Sequence, residues 1–173
     1  MKTQTNPSIW IALWCVLGVE FILADALYRL FPRALEPLSS TEELPLGVTL
    51  TYIGSILFLG FFEGYKGFQK SFSPRVAARA LHLAANPTRR YVILGPLYAM
   101  ALLGTTKRRL IGSWALVLGV ISLIVAVHQL PVLYRAGVDA GVVVGLSWGA
   151  LSILTSFWTA LRHGPQTDPE TGE

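Results

Sequence analysis

Apolar residues fall in long runs separated by short polar or proline-containing stretches. Four runs, at residues 9–30, 46–63, 110–132 and 136–161, are long enough to cross about 30 Å of hydrocarbon as helices. Clusters of proline, serine and charged residues between the runs are typical of loops and turns. The pattern predicts an all-α integral membrane protein, with a small bundle of four transmembrane helices over residues 1–163 and a disordered polar tail at 164–173.

The composition supports a membrane protein and argues against a soluble or disordered chain. Hydrophobic residues make up 53% and charged residues 14% of the 173 positions, and the mean hydropathy is +0.53. Soluble domains carry about 25% charged residues. The net charge of +4 is too small to indicate nucleic-acid binding, so no nucleic-acid partner is predicted. Cys15 is the single cysteine, which excludes an intrachain disulfide.

The segment 91–106 is apolar but short and contains Gly95-Pro96. Basic clusters flank it on both sides, and a true span would place one of them outside. With four spans, eleven basic residues lie inside and three outside, whereas five spans give eight and six. The positive-inside rule therefore favours four spans with 91–106 re-entrant or interfacial, and five transmembrane helices remain the alternative. The same count predicts a multi-pass protein of a bacterial inner membrane with a cytoplasmic N-terminus.

Ser73-Pro74 has the pattern of a helix start, with serine as N-cap and proline at the first helical position. The sequence predicts an amphipathic cytoplasmic helix at about 74–85. Arg75, Arg79 and His82 share one face of it and are predicted to contact anionic lipid headgroups. A solvated helix packed on the bundle is the alternative.

Glycine recurs every four residues in the last span, at Gly137, Gly141, Gly145 and Gly149. Small residues at this spacing make a flat helix face that another backbone can approach closely. The pattern predicts either packing within the chain or binding of a second copy or a partner helix.

Ionisable residues inside the apolar runs need an explanation, because charge is costly in lipid. Glu20 lies in the middle of a span with no basic residue three or four positions away. It is predicted to be protonated and structural, or else to handle protons or cations. Four spans also place five polar residues in one layer near the outer surface, as a structural clasp or the mouth of a site: Asp25, Arg29, His128, Arg135 and Asp139.

No pattern of catalytic, phosphate-binding or metal-ligating residues stands out, so no catalytic residue, metal or cofactor is predicted, and an enzyme is disfavoured. Three function classes remain. The favoured one is an accessory or structural subunit that packs against itself or a partner membrane protein. The second is a small transporter or channel component that uses Glu20 and the outer polar residues. The third is an intramembrane lipid-binding protein or enzyme.

Overall fold

The computed structural model describes residues 8–39, 43–165 and 167, with every side chain in these ranges except those of Arg108, Arg109 and Leu116. This part of the chain is 86% helical and contains no strand. Four helical stretches are long and apolar enough to cross a membrane: Ile9–Ser39, Leu46–Ala85, Leu110–Val127 and Val132–His163. The prediction of an all-α, multi-pass membrane bundle is therefore confirmed. The predicted disordered tail lies outside the described residues except for 164, 165 and 167.

The elements follow one another along the chain as helices of very different length. They are α1 (Ile9–Leu35), a 3-10 turn (Glu36–Ser39), α2 (Leu46–Leu59), a π-helical segment (Gly60–Phe72), α3 (Ser73–Ala85), α4 (Arg89–Ile93), α5 (Gly95–Ala99), α6 (Lys107–Val127) and α7 (Val132–His163).

The second span and the predicted amphipathic helix form one continuous helix, Leu46–Ala85, called the long helix below. Ser73-Pro74 does not start a new helix, contrary to the sequence prediction. A proline inside an α-helix loses one hydrogen bond and clashes with the carbonyl four residues earlier. Here the turn before it is π-helical, and the Ser73 N–H donates to the Phe68 carbonyl five residues back. The wider turn carries the helix past Pro74, and it ends before Asn86-Pro87.

The long helix runs antiparallel to α1 and packs against it mainly through α3. The Tyr52 hydroxyl donates to the Ala34 carbonyl at 2.9 Å, near one end. The Ser8 N–H donates to the Ala84 carbonyl at 3.2 Å, near the other. Helix α7 runs parallel to the long helix and also contacts α1, so these three form the core of the bundle.

The glycine face of α7 packs against the long helix. A Cβ at Gly141 would lie 2.6 Å from the backbone of Ser55, and one at Gly149 would lie 2.7 Å from the ring of Phe68. The Ser55 hydroxyl donates to the Gly137 carbonyl. This face is thus occupied within the chain and is not open to a second copy, which corrects that reading of the glycine pattern.

The segment 91–106 does not span the bundle. It contains two helices of five residues each, α4 and α5, followed by turns, and each helix is only about 7.5 Å long. The segment packs against the beginning of α1, where the Trp14 indole N–H donates to the Val92 carbonyl at 3.0 Å. Pro96 covers Gly18 so closely that a Cβ there would overlap its ring. The described residues therefore form four spanning helices and not the alternative five.

Helix α6 stands apart from this bundle. None of its described residues is buried, and nothing lies within 4 Å of the Cβ positions of Gly112 and Gly119. The other three spanning helices all contribute buried residues to the core.

Alanine substitutions at two helical glycines should differ in their effect on stability. Gly141→Ala should lower the melting temperature in detergent, because the new methyl group meets the Ser55 backbone. Gly54→Ala should leave it unchanged or raise it, since Gly54 faces open space and alanine favours a helix by about 1 kcal/mol. Equal melting temperatures for the two variants would contradict the close contact between α7 and the long helix.

Candidate functional site

Arg79 is buried in the bundle, with only 2% of its surface exposed. Its Nε donates to the Tyr98 carbonyl at 2.7 Å, and its Nη2 donates to the carbonyls of Leu103 at 2.7 Å and Gly104 at 3.0 Å. The guanidinium also lies 4.1 Å from the centre of the Tyr98 ring. The planar fork of an arginine suits several fixed acceptors at once. Arg79 therefore holds the chain around α5 and does not face lipid headgroups, so that prediction is wrong.

The turn that Arg79 holds contains two residues with left-handed backbone. Ala101 has φ 58° and Gly104 has φ 60°. A left-handed conformation costs an alanine roughly 1–2 kcal/mol, and hydrogen bonds to the flanking carbonyls can offset this cost. Arg79 thereby fastens the segment 91–106 to the long helix.

The predicted basic face of α3 is not an open surface, because α3 packs against α1, α5 and α7. Arg75 is half-buried, and its guanidinium donates to the Ser71 carbonyl at 2.7 Å and the Ser71 hydroxyl at 3.1 Å. His82 is also half-buried. The sequence placed these side chains correctly on one side of a helix but could not show that other helices cover that side.

The structure brings together three of the five residues predicted to form the outer polar cluster. His128 Nε2 lies 2.9 Å from Arg135 Nη2, and Arg135 Nε lies 3.9 Å from Asp139 Oδ2. Asp25 and Arg29 instead pair with each other at 3.0 Å, with side chains 46% and 70% exposed. The cluster consists of one linked group on α6 and α7 and one separate surface pair on α1.

Two residues that the sequence analysis missed complete the surroundings of Asp139. Asp139 is 6% exposed, and its Oδ2 has no hydrogen-bond partner among the described residues. The charges of Arg33 and Arg135 act on it, and Asp139 in turn acts on Tyr52. Arg33 was assigned to a loop because of Pro32, whereas α1 continues through Pro32. Its spacing of four from Arg29 was the available signal.

The carboxylates inside the bundle are spread along its length. Glu20 is half-buried, and its Oε1 is buried without a hydrogen-bond partner in the described part of the chain. Glu63 is half-buried against Gly145 near the middle of α7. Asp139 lies near Tyr52, and the Tyr52 hydroxyl donates to the Ala34 carbonyl of α1. Ala34 is fourteen residues from Glu20 on α1, which corresponds to about 21 Å along the helix. Direct proton transfer between Glu20 and Asp139 is therefore not possible.

The described residues contain no group of three or more histidine, cysteine, aspartate or glutamate side chains that could hold a metal ion. Comparisons with protein-family models, with curated proteins and with solved structures find no match for this chain. The geometry thus carries the functional inference by itself. The groups it brings together are a buried arginine clamp, a polar link between α6 and α7, and an unpacked apolar helix.

The accessibility of the single cysteine, Cys15, measures how tightly the segment 91–106 is held against α1. Cys15 is fully buried, and its Sγ lies 2.9 Å from the Cβ position of Gly95 in α5. Arg79→Lys should raise maleimide labelling of Cys15 about tenfold or more, because a charged hydrogen bond worth about 1.5–3 kcal/mol is lost. Arg162→Lys, at an exposed position, is the control and should leave labelling unchanged. Equally slow labelling in both variants would show that Arg79 does not hold this segment closed.

Arg135 and Asp139 should be energetically coupled. Arg135→Gln and Asp139→Asn should each lower the free energy of unfolding by about 1–3 kcal/mol, because each removes one partner of a shielded ion pair. The double variant should lose less than the sum. The exposed pair Asp25 and Arg29 is the control, and its coupling should stay below about 1 kcal/mol. Coupling of the same size in both pairs would contradict the clasp.

Proposed function

We propose that the protein is an accessory membrane subunit that binds a partner membrane helix through α6. The observation that carries this proposal is that α6 spans 21 residues and buries none of its described side chains. The other spanning helices of the same chain pack closely on one another. A helix that lies in lipid beside its own bundle, without joining it, is available to another helix.

One face of α6 has the residues that helix association in lipid needs. Small side chains recur at alternating spacings of three and four, and all of them are exposed: Gly112, Ala115, Gly119, Ser122 and Ala126. Lipid tails are as apolar as leucine, so association depends on close packing and not on removing apolar surface from water. The alternating spacing keeps this seam on one side of the helix and suits a left-handed crossing.

The polar link at the end of α6 supports the same role. His128 follows the last residue of α6 and contacts Arg135 near the start of α7. This contact fixes the end of α6 to the bundle while the remainder of the helix stays unpacked. The structural clasp proposed for these residues therefore sets where α6 emerges.

We also propose that α1 begins on the cytoplasmic side of a bacterial inner membrane. The basic residues from Arg75 to Arg109, and Arg162, belong to the half of the bundle where α1 begins, whereas Arg29, Arg33 and Arg135 belong to the opposite half. An excess of lysine and arginine on one side is typical of the cytoplasmic face. The transport alternative receives less support, because Glu20 and Asp139 are too far apart for direct proton transfer.

The seam can be tested without disturbing the fold. Gly119→Leu should remove a co-purifying partner, or a second copy, from the native mass of the protein extracted in mild detergent, because the leucine blocks close approach. Its own bundle should not be affected, since nothing lies within 4 Å of that position. Val120→Leu, at an exposed position on another face of α6, is the matched control. A native mass equal to one chain in the unsubstituted protein, or the same partner retained by Gly119→Leu, would refute the proposal.

A further inference from the structure

The π-helical segment carries two lysines that lie over aromatic rings. Lys66 Nζ is 5.1 Å from the centre of the Phe61 ring and 4.9 Å from that of Phe62, and Lys70 Nζ is 4.8 Å from the centre of the Tyr65 ring. The rings also contact one another, with Phe61 centred 5.2 Å from Phe62 and 5.7 Å from Tyr65. Both lysines are exposed. We call these five residues the lysine–aromatic surface.

The lysine–aromatic surface depends on the π-helical geometry. Lys66 and Phe61 are five residues apart, and so are Lys70 and Tyr65. In an α-helix with 3.6 residues per turn, residues five apart point about 140° away from each other. The wider π turn brings them to one side. The segment thus aligns charges and rings that a regular helix would separate.

The two ammonium groups are open to an external anion. Among the described residues, the ion pairs involve Asp25 and Asp139 but neither of these lysines. Glu63 lies on the same segment, but its carboxylate points to Gly145 of α7, on the packed side of the helix. Two exposed cations on one side of a helix, without a carboxylate from this part of the chain, favour an anionic partner.

An apolar track leads away from the lysines along α2. Exposed side chains recur at spacings of three and four along one side of it: Leu46, Leu50, Ile53, Leu57 and Phe61. The track covers about 22 Å, which exceeds the roughly 15 Å of one leaflet of the hydrocarbon core. Residues 46–62 carry no charge, so the track ends at the first charged residues of this helix.

We propose that the lysine–aromatic surface binds the headgroup of an anionic phospholipid, with an acyl chain along the apolar track. Charge at one end and a long apolar track at the other match the two parts of such a lipid. A free phosphate would use only the lysines, and an acidic protein segment would have no use for the track. This inference is independent of the role proposed for α6.

Native mass spectrometry of the full chain, titrated with phosphatidylglycerol or with phosphatidylcholine, tests the site. Lys66→Gln combined with Lys70→Gln should weaken phosphatidylglycerol binding roughly ten- to thirtyfold, since each basic residue near an anionic surface contributes about a fourfold to fivefold gain. Phosphatidylcholine binding should not change. Arg89→Gln combined with Arg90→Gln removes the same charge from exposed positions and should leave phosphatidylglycerol binding unchanged.

Further measurements distinguish a phospholipid site from a site for free phosphate or for a protein. Phe61→Ala should weaken phosphatidylglycerol binding, whereas Phe21→Ala, at an exposed ring on α1, should not. Excess inorganic phosphate should not displace the lipid. The proposal is overturned if phosphate displaces it fully, if the two double variants lose equal affinity, or if the species that the lysine variant releases from membrane extracts is a protein.

Discussion

The close approach of α7 to the long helix is the contact on which the rest of the structure depends. In lipid the hydrophobic effect does not drive helices together, so packing and hydrogen bonds must hold the bundle. The glycines of α7 permit that approach, and hydroxyl groups add polar links at two levels, from Ser55 to the Gly137 carbonyl and between Ser73 and Ser152 at 2.6 Å. Once these two helices are joined, α1 fits against both of them, and the segment 91–106 fits against α1 and α3.

The same contact gives a reason for the π-helical segment. Along α7 the contacting residues follow at steps of four and three, from Gly145 to Gly149 to Ser152. Their partners on the long helix are Glu63, Phe68 and Ser73, at steps of five. A regular α-helix would turn such partners away from α7, whereas a π-helix keeps residues five apart on one side. The geometry that holds the long helix against α7 therefore also aligns Lys66 with Phe61, and Lys70 with Tyr65, elsewhere on its surface.

The sequence was sufficient to predict features that depend only on the order and spacing of residues along the chain. Apolar runs identified the four spanning helices, and glycine spacing identified a face that another backbone approaches. The sequence was not sufficient where two different local structures are compatible with the same residue pattern. Ser73-Pro74 looks the same whether it starts a helix or follows a π turn, and periodicity alone places Arg79 on a polar face. Only the position of α5 shows that Arg79 is covered and bound to carbonyls. Arg33 was missed because a proline inside a helix has the same local pattern as a loop.

Helices α6 and α7 have a similar pattern of small residues in different surroundings. Both carry small residues along one side, and on α7 a Cβ added at Gly137, Gly141, Gly145 or Gly149 would lie 2.6–3.1 Å from an atom of the long helix. On α6 the seam residues are exposed, and no described residue lies within 4 Å of the Cβ positions of Gly112 and Gly119, although only residues 128–131 separate the two helices. The short connection and the His128–Arg135 contact hold the end of α6 beside the bundle, so its separation from α7 is not a result of a long, loose linker. The interior faces of α7 are occupied by the long helix and α1. The chain therefore carries two small-residue seams, of which the one on α7 packs within the bundle and the one on α6 is exposed.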